Sequence, residues 1–413
     1  MARKFCYLCL NKLSVIRRIR NLGPGTIVAA AFIGPGTVTT CSVAGVQHNF
    51  TLLWAVLVSI LATIVLQEMS ARIGLVSGQG VTESIAQTIR QPVVRGAALF
   101  IVVIAIVVGN AAYEAGNISG GVLGWENIAK VPAITVGAIQ WKIMPAVIGV
   151  AAFLLLFFGG YKWIEKSLVG VVLLMSLMFM LAAVMTAPSI IALLEGVFVP
   201  RVPEKGWLSV LAIVGTTVVP YNIFLHASLV QEKWKDTSDI KAMRQDTYFA
   251  VILGGMVSMS IIVAAAAVGQ NDVNNAGDLA KGLAPLLGDW APFSIGIGLF
   301  AAGISSAITA PLAAGYVVRG LTQSKKHFRW AWIGVLCVGV VVASMDFRPI
   351  HVIQLAQIAN GLLLPIIAGF LIYICNQQQI LGKYRNNTLQ NVFAVVIFLV
   401  AVVLGVKSIG GVF

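Results

Sequence analysis

Apolar residues in this chain neither alternate with polar ones nor mark a single face of short helices. They fill long, nearly uninterrupted runs separated by short polar connections, which is the pattern of helices surrounded by hydrocarbon. Eleven runs are expected to span a membrane, at about 23–46, 50–73, 93–116, 144–158, 164–187, 207–231, 246–269, 290–319, 330–346, 350–375 and 389–407. The fourth is short, with room to extend upstream past Trp141. Runs this long and continuous exclude a β-barrel, whose strands alternate between lipid and lumen.

Two runs are interrupted. Gly34-Pro35-Gly36-Thr37 lies inside the first, and Thr216-Thr217-Val218-Val219-Pro220-Tyr221 lies inside the sixth. Proline lacks an N–H and glycine is permissive, so a regular helix should not run through either stretch. Irregular backbone at membrane depth survives only where protein or a water-filled cavity satisfies it, and broken helices commonly mark a transporter's binding site. Breaks five runs apart suit a five-plus-five inverted repeat. The first repeat is then 23–187, the second 207–375, and the eleventh span, 389–407, is an appendage. Residues 1–22 form a basic N-terminal segment (Arg3, Lys4, Lys12, Arg17, Arg18, Arg20) expected at the membrane surface.

Composition agrees. The 413 residues are 59% hydrophobic and 10% charged, against about 25% charged in soluble domains. The net charge of +13 would suggest nucleic acid in a soluble protein. Here it follows from loop charge. With the N-terminus cytoplasmic, three quarters of the 28 Lys and Arg side chains fall in cytoplasmic segments, as the positive-inside bias requires. The expectation is a multi-pass protein of the cell membrane, N-terminus cytoplasmic and C-terminus outside, with the lipid bilayer as its partner and no nucleic acid. No cleavable signal peptide is evident. The five cysteines show no disulfide framework; Cys6 and Cys9 read as juxtamembrane thiols more readily than as half of a zinc site.

None of the fifteen acidic residues falls in a break. The groups there are Thr37, Thr39, Thr40, Ser42, Thr216, Thr217, Tyr221 and Asn222, which read as the wall of a substrate cavity or as hydroxyls bonded to kinked backbone. His226, five residues past the second break, and Glu114, near the expected end of the third span, are candidate proton carriers. Their plain alternatives are a neutral histidine on a carbonyl and a carboxylate reaching water. Gln357 and Asn360 share one face of the tenth span, to touch substrate or bond neighbouring helices. The small residues from Ala301 to Thr309 read as a packing face. No nucleophile–base pair, phosphate loop or cofactor motif is found, so neither an enzyme nor a bound cofactor is expected.

These residues resemble the Nramp family of proton-coupled divalent metal transporters over nearly the whole chain, from Gly23-Pro24-Gly25 onward. Val219-Pro220-Tyr221-Asn222-Ile223-Phe224-Leu225-His226-Ala227-Ser228 is similar to the family's MPHNLYLHSALV. Ala302-Gly303-Ile304-Ser305-Ser306 with Ala314-Gly315 is similar to its AGQSS…AG, and Gln357 with Leu364-Pro365 to its SQV…LP. The resemblance implies a LeuT-type fold, all α-helical, with helices 1 and 6 broken. It also locates the departures. Gly34 stands at the aspartate and Thr37 at the asparagine of the family's DPGN, Val219 at its methionine, and Tyr221 at its first histidine. Asn110 and Tyr113 take the place of an acidic pair, with Glu114 one residue displaced. The implied substrate site is Gly34, Thr37, Thr216, Val219, Tyr221, Gln357 and Asn360. Any metal ion would fall to Thr37, Thr216 and Gln357, and protons are a candidate coupling ion. The expected function is a secondary transporter, a symporter, with a modified site suited to a different cation. A carrier of a small organic solute such as an amino acid, or a non-transporting sensor, stands as the alternative.

Overall fold

A computed structural model describes residues 33–410 apart from 130–132, 137–138, 159–161, 204–205, 270–272, 274 and 346. The basic segment 1–22, with Cys6 and Cys9, and the first part of the first span lie outside the described residues. Helices dominate. In chain order they are α1 (Pro35–His48), α2 (Leu53–Ser77), α3 (Val81–Thr88), α4 (Pro92–Val103), α5 (Gly109–Glu126), α6 (Met144–Phe158), α7 (Lys162–Met185), α8 (Ile190–Phe198), α9 (Trp207–Thr217) and α10 (Pro220–Lys233). They continue with α11 (Ile240–Ala266), α12 (Ala291–Thr322), α13 (Lys325–Ser344), α14 (Pro349–Cys375) and α15 (Thr388–Gly410). Nine helical stretches among the described residues are long and apolar enough to cross a membrane; α6 and α1, at 15 and 14 residues, supply the other two of the expected eleven.

Three expectations need correction. The first break ends sooner than the sequence implied. Gly34 is extended (φ −100°, ψ −174°), and α1 begins at Pro35, so Gly36 and Thr37 are already helical. The second break repeats this device: α9 includes Thr216 and Thr217, only Val218 and Val219 leave the helix, and Pro220 begins α10. Proline is pre-shaped for the first helical position, where its missing N–H costs nothing. In both breaks it therefore starts a helix.

The third span is also longer than expected. It runs unbroken from Pro92 to Glu126 through a π-helical stretch at Ile104–Val108. The expected end at 116 falls among the glycines that follow Glu114. They are contact points instead: the backbones of Gly121 and Gly303 touch, and a Cβ on Gly124 would strike the Phe300 amide. Glu114 consequently lies mid-helix and fully buried, not near a span end. Thirdly, the second span passes its expected end at 73: α2 continues to Ser77, with Glu68 inside it. It pairs with Arg72 at 3.1 Å and Arg244 at 2.8 Å, while Arg72 donates to the Tyr384 carbonyl and to Asn386 Oδ1, both at 2.6 Å. This buried cluster ties α2 to α11 and to the α14–α15 connection. The loop between α5 and α6 contains a small antiparallel hairpin, Ala133–Val136 with Ile139–Lys142.

The described interior falls into three apolar clusters, the smallest formed by Ala71, Leu75, Val230 and Met243. One large apolar cluster joins α1, α2, α9, α10, α11 and α14 around the breaks. A smaller one joins α5, α6, α12 and α13. Outward-facing side chains such as Phe100, Leu174, Ile191, Val338 and Val396 remain exposed, the surface that a bilayer would cover.

Candidate functional site

The two breaks meet. The Thr37 and Thr216 hydroxyls, 179 residues apart in sequence, lie 2.9 Å from each other and are buried. Both are placed by the Pro-led geometry just described: Thr37 is two residues into α1, and Thr216 is one residue from the end of α9. Neither α1 nor α10 has a side-chain cap at its N-terminus, so both present amide hydrogens without an intrahelical partner.

Gln357 on α14 closes the third side. Its side-chain amide fills the space above Gly36, where any Cβ would overlap it, and its carbonyl oxygen presses on Gly215 so closely that a Cβ there would also overlap. Gln357 Oε1 is buried without a hydrogen-bond partner. Asn360, one turn on, reaches the Gly215 carbonyl at 3.5 Å. Pro35 is seated against Gly120 of α5, which leaves no room for a side chain there.

Tyr221 and Tyr113 form the fourth side. Their rings meet edge to face with centroids 5.2 Å apart. The Tyr221 hydroxyl, both side-chain atoms of Asn222 and the hydroxyls of Thr39, Thr40 and Ser42 are buried without hydrogen-bond partners. Burying such groups costs about 1–3 kcal/mol each unless something satisfies them, so their concentration on α1 and α10 marks a place built for polar contact. The whole set is formally neutral. Among the described residues no group of three or more His, Cys, Asp or Glu could hold a metal ion.

The expected residues divide by position. Gly34, Thr37, Thr216, Val219, Tyr221, Gln357 and Asn360 all come from the breaks or from α14 beside them. Glu114 does not join them. Asn117 Nδ2 donates to its Oε2 at 3.2 Å, and its Cγ packs against Gly339 of α13. It therefore faces α13, whereas its neighbour Tyr113 faces the second break. Asn110 donates to the Ala310 carbonyl at 2.9 Å, bracing α5 on α12.

His226 is buried on α10, with Nδ1 2.7 Å from Gln67 Oε1 and Nε2 unpartnered. An Nδ1–H donor to the amide oxygen fits this geometry. Gln67 was missed from the sequence, although a signal existed. Thr63, Gln67, Ser70 and Gly74 recur at helical spacing on α2. Thr63 meets the Thr217 carbonyl at 3.4 Å, Ser70 donates to the Ile223 carbonyl, and Gly74 lies against the Ala227 carbonyl. One polar stripe on α2 thus holds the backbone on both sides of the second break.

With this geometry in place, comparison with known proteins is informative. The family model for natural resistance-associated macrophage protein-like proteins, Nramp, matches residues 25–410. The divalent metal cation transporter MntH of Aeromonas hydrophila is 27% identical over 401 residues, covering 95% of each chain. A crystal structure of a manganese transporter mutant from Eremococcus coleocola aligns with a TM-score of 0.76 at 19% identity, over 94% of this chain and 85% of that one. Mhp1, a nucleobase-cation-symport-1 family transporter, aligns with a TM-score of 0.58 at 16% identity, over 94% and 92%.

Proposed function

This chain belongs to the Nramp family, and from that premise we propose that it is a secondary transporter carrying a cation between the two helix breaks, in a site of neutral oxygens. Several observations support this reading. Its curated relatives are named divalent metal cation transporters. The fold is a multi-pass membrane protein with the two breaks in contact.

The observation that carries the proposal is the convergence of Thr37, Thr216 and Gln357, with unpartnered polar atoms around them and no carboxylate among them. Hydroxyl, amide and carbonyl oxygens suit a hard cation, but they supply no charge to replace a full hydration shell. A cation held by these groups keeps part of its water. Val219 offers no sulfur, so selectivity for soft transition metals is not built in. Of the candidate proton carriers, His226 lies on α10 just past the break, and Glu114 on α5 is turned toward α13, away from the break that Tyr113 faces. The inverted repeats 23–187 and 207–375, with the N-terminus cytoplasmic, belong to this proposal.

Uptake of magnesium, calcium and manganese into proteoliposomes tests the proposal directly. Saturable uptake of at least one, weakened by Thr37→Val, is the expected result. No uptake and no binding of any at millimolar concentration would sink it. A second reading is a small organic solute with a carboxylate. The uncapped N-termini of α1 and α10 favour it, because helix N-termini attract anions. Parallel uptake of labelled amino acids separates the two.

A further inference from the structure

An apolar groove runs between α2, α9, α14 and α15, with none of the polar residues of the breaks in its lining. Its volume is about 450 Å³. The outer lip is Leu61, Phe393 and Val396, each more than half exposed, and the floor is Ala62, Val214 and Leu364, each no more than 5% exposed. The one polar side chain in it, Ser59, donates its hydroxyl to the Ala55 carbonyl at 2.6 Å, so the wall offers hydrocarbon and nothing else.

We propose that this groove binds a single acyl chain of a membrane lipid. Its four walls belong to membrane-spanning helices, and the residues concerned lie well inside those helices, so the groove opens to the hydrocarbon core. Only apolar matter is available to fill it there. Size selects between the candidates. A helix from a partner protein or a second copy is about 10–12 Å across and would fill this volume within about one turn. A flexible hydrocarbon chain can thread the groove lengthwise. Filling it also recovers the dispersion contacts that Val214 and Leu364 lack on their open side. Because Val214 immediately precedes Gly215 and Thr216, the bound chain lies against the half-helix that forms the second break. The site stands independently of what the transporter carries.

A phospholipid bearing a photoreactive diazirine in mid-chain tests this in nanodiscs of the full-length protein. After irradiation, adducts are mapped by mass spectrometry. Labelling of the buried Ala62 and Val214 is expected to exceed, several-fold, that of Leu177 and Val341, which are about half exposed on other faces. Filling the groove with Ala62→Phe and Ala401→Phe should abolish labelling at Val214 and leave Leu177 unchanged. Val400→Ala, which widens the groove, should increase it and covers the case in which the filled variant fails to fold. Adducts confined to exposed positions such as Leu61 and Phe393, with none at Ala62 or Val214, would overturn the proposal.

Discussion

At the scale of single residues, the site combines preserved geometry with absent charge. Gly34 occupies a helix N-cap whose backbone is extended, a conformation open to any residue. An aspartate would therefore fit there without backbone strain. A carboxylate about 4 Å from a cation is worth about 4 kcal/mol per unit of cation charge at an effective dielectric of about 20. Gly34→Asp should accordingly tighten divalent-cation binding at least about tenfold, read by isothermal titration; unchanged affinity would mean that cations do not bind between the breaks. The sequence named both Thr37 and Thr216 but not their pairing, because a contact across 179 residues leaves no local signature. Gln67 was invisible for another reason: one amide in an apolar helix carries meaning only once Thr63 and Ser70 are seen on the same face.

At the scale of elements, helix existence was legible and helix ends were not. The apolar runs gave the spans directly, since only a helix satisfies its own backbone in hydrocarbon. The end of the third span was lost because glycine signals termination and close packing equally. Here Gly116, Gly120, Gly121 and Gly124 admit α14, the Pro35 ring and α12 in turn. The most demanding approach is between α9 and α14, where Gly215 meets the backbone of Gln357 and a Cβ would also crowd the Gly361 amide. Gly215→Ala must push these helices apart. Overpacking of this kind costs about 1–3 kcal/mol, so the variant should melt at lower temperature by scanning fluorimetry and lose transport. A fully stable and active variant would show that α9 and α14 separate without consequence.

At the scale of the whole molecule, orientation is a prediction from loop charge. With Lys326 on the cytoplasmic side, Asp289 lies outside, and both are exposed. In a cysteine-free background, a membrane-impermeant maleimide should label Asp289→Cys in intact cells and Lys326→Cys only after permeabilisation; the reverse pattern would invert the topology. The Thr37–Thr216 contact has a further consequence, which is electrical. Moving one elementary charge across the membrane field changes its energy by about 2.3 kcal/mol per 100 mV. A carrier with a carboxylate between its broken helices drags that charge through the field on every empty return. This one joins its halves by two neutral hydroxyls. Under the proposed function, no carboxylate between the breaks crosses the field on the unloaded return, and the membrane potential acts there through the charge of the cargo and of any proton that accompanies it.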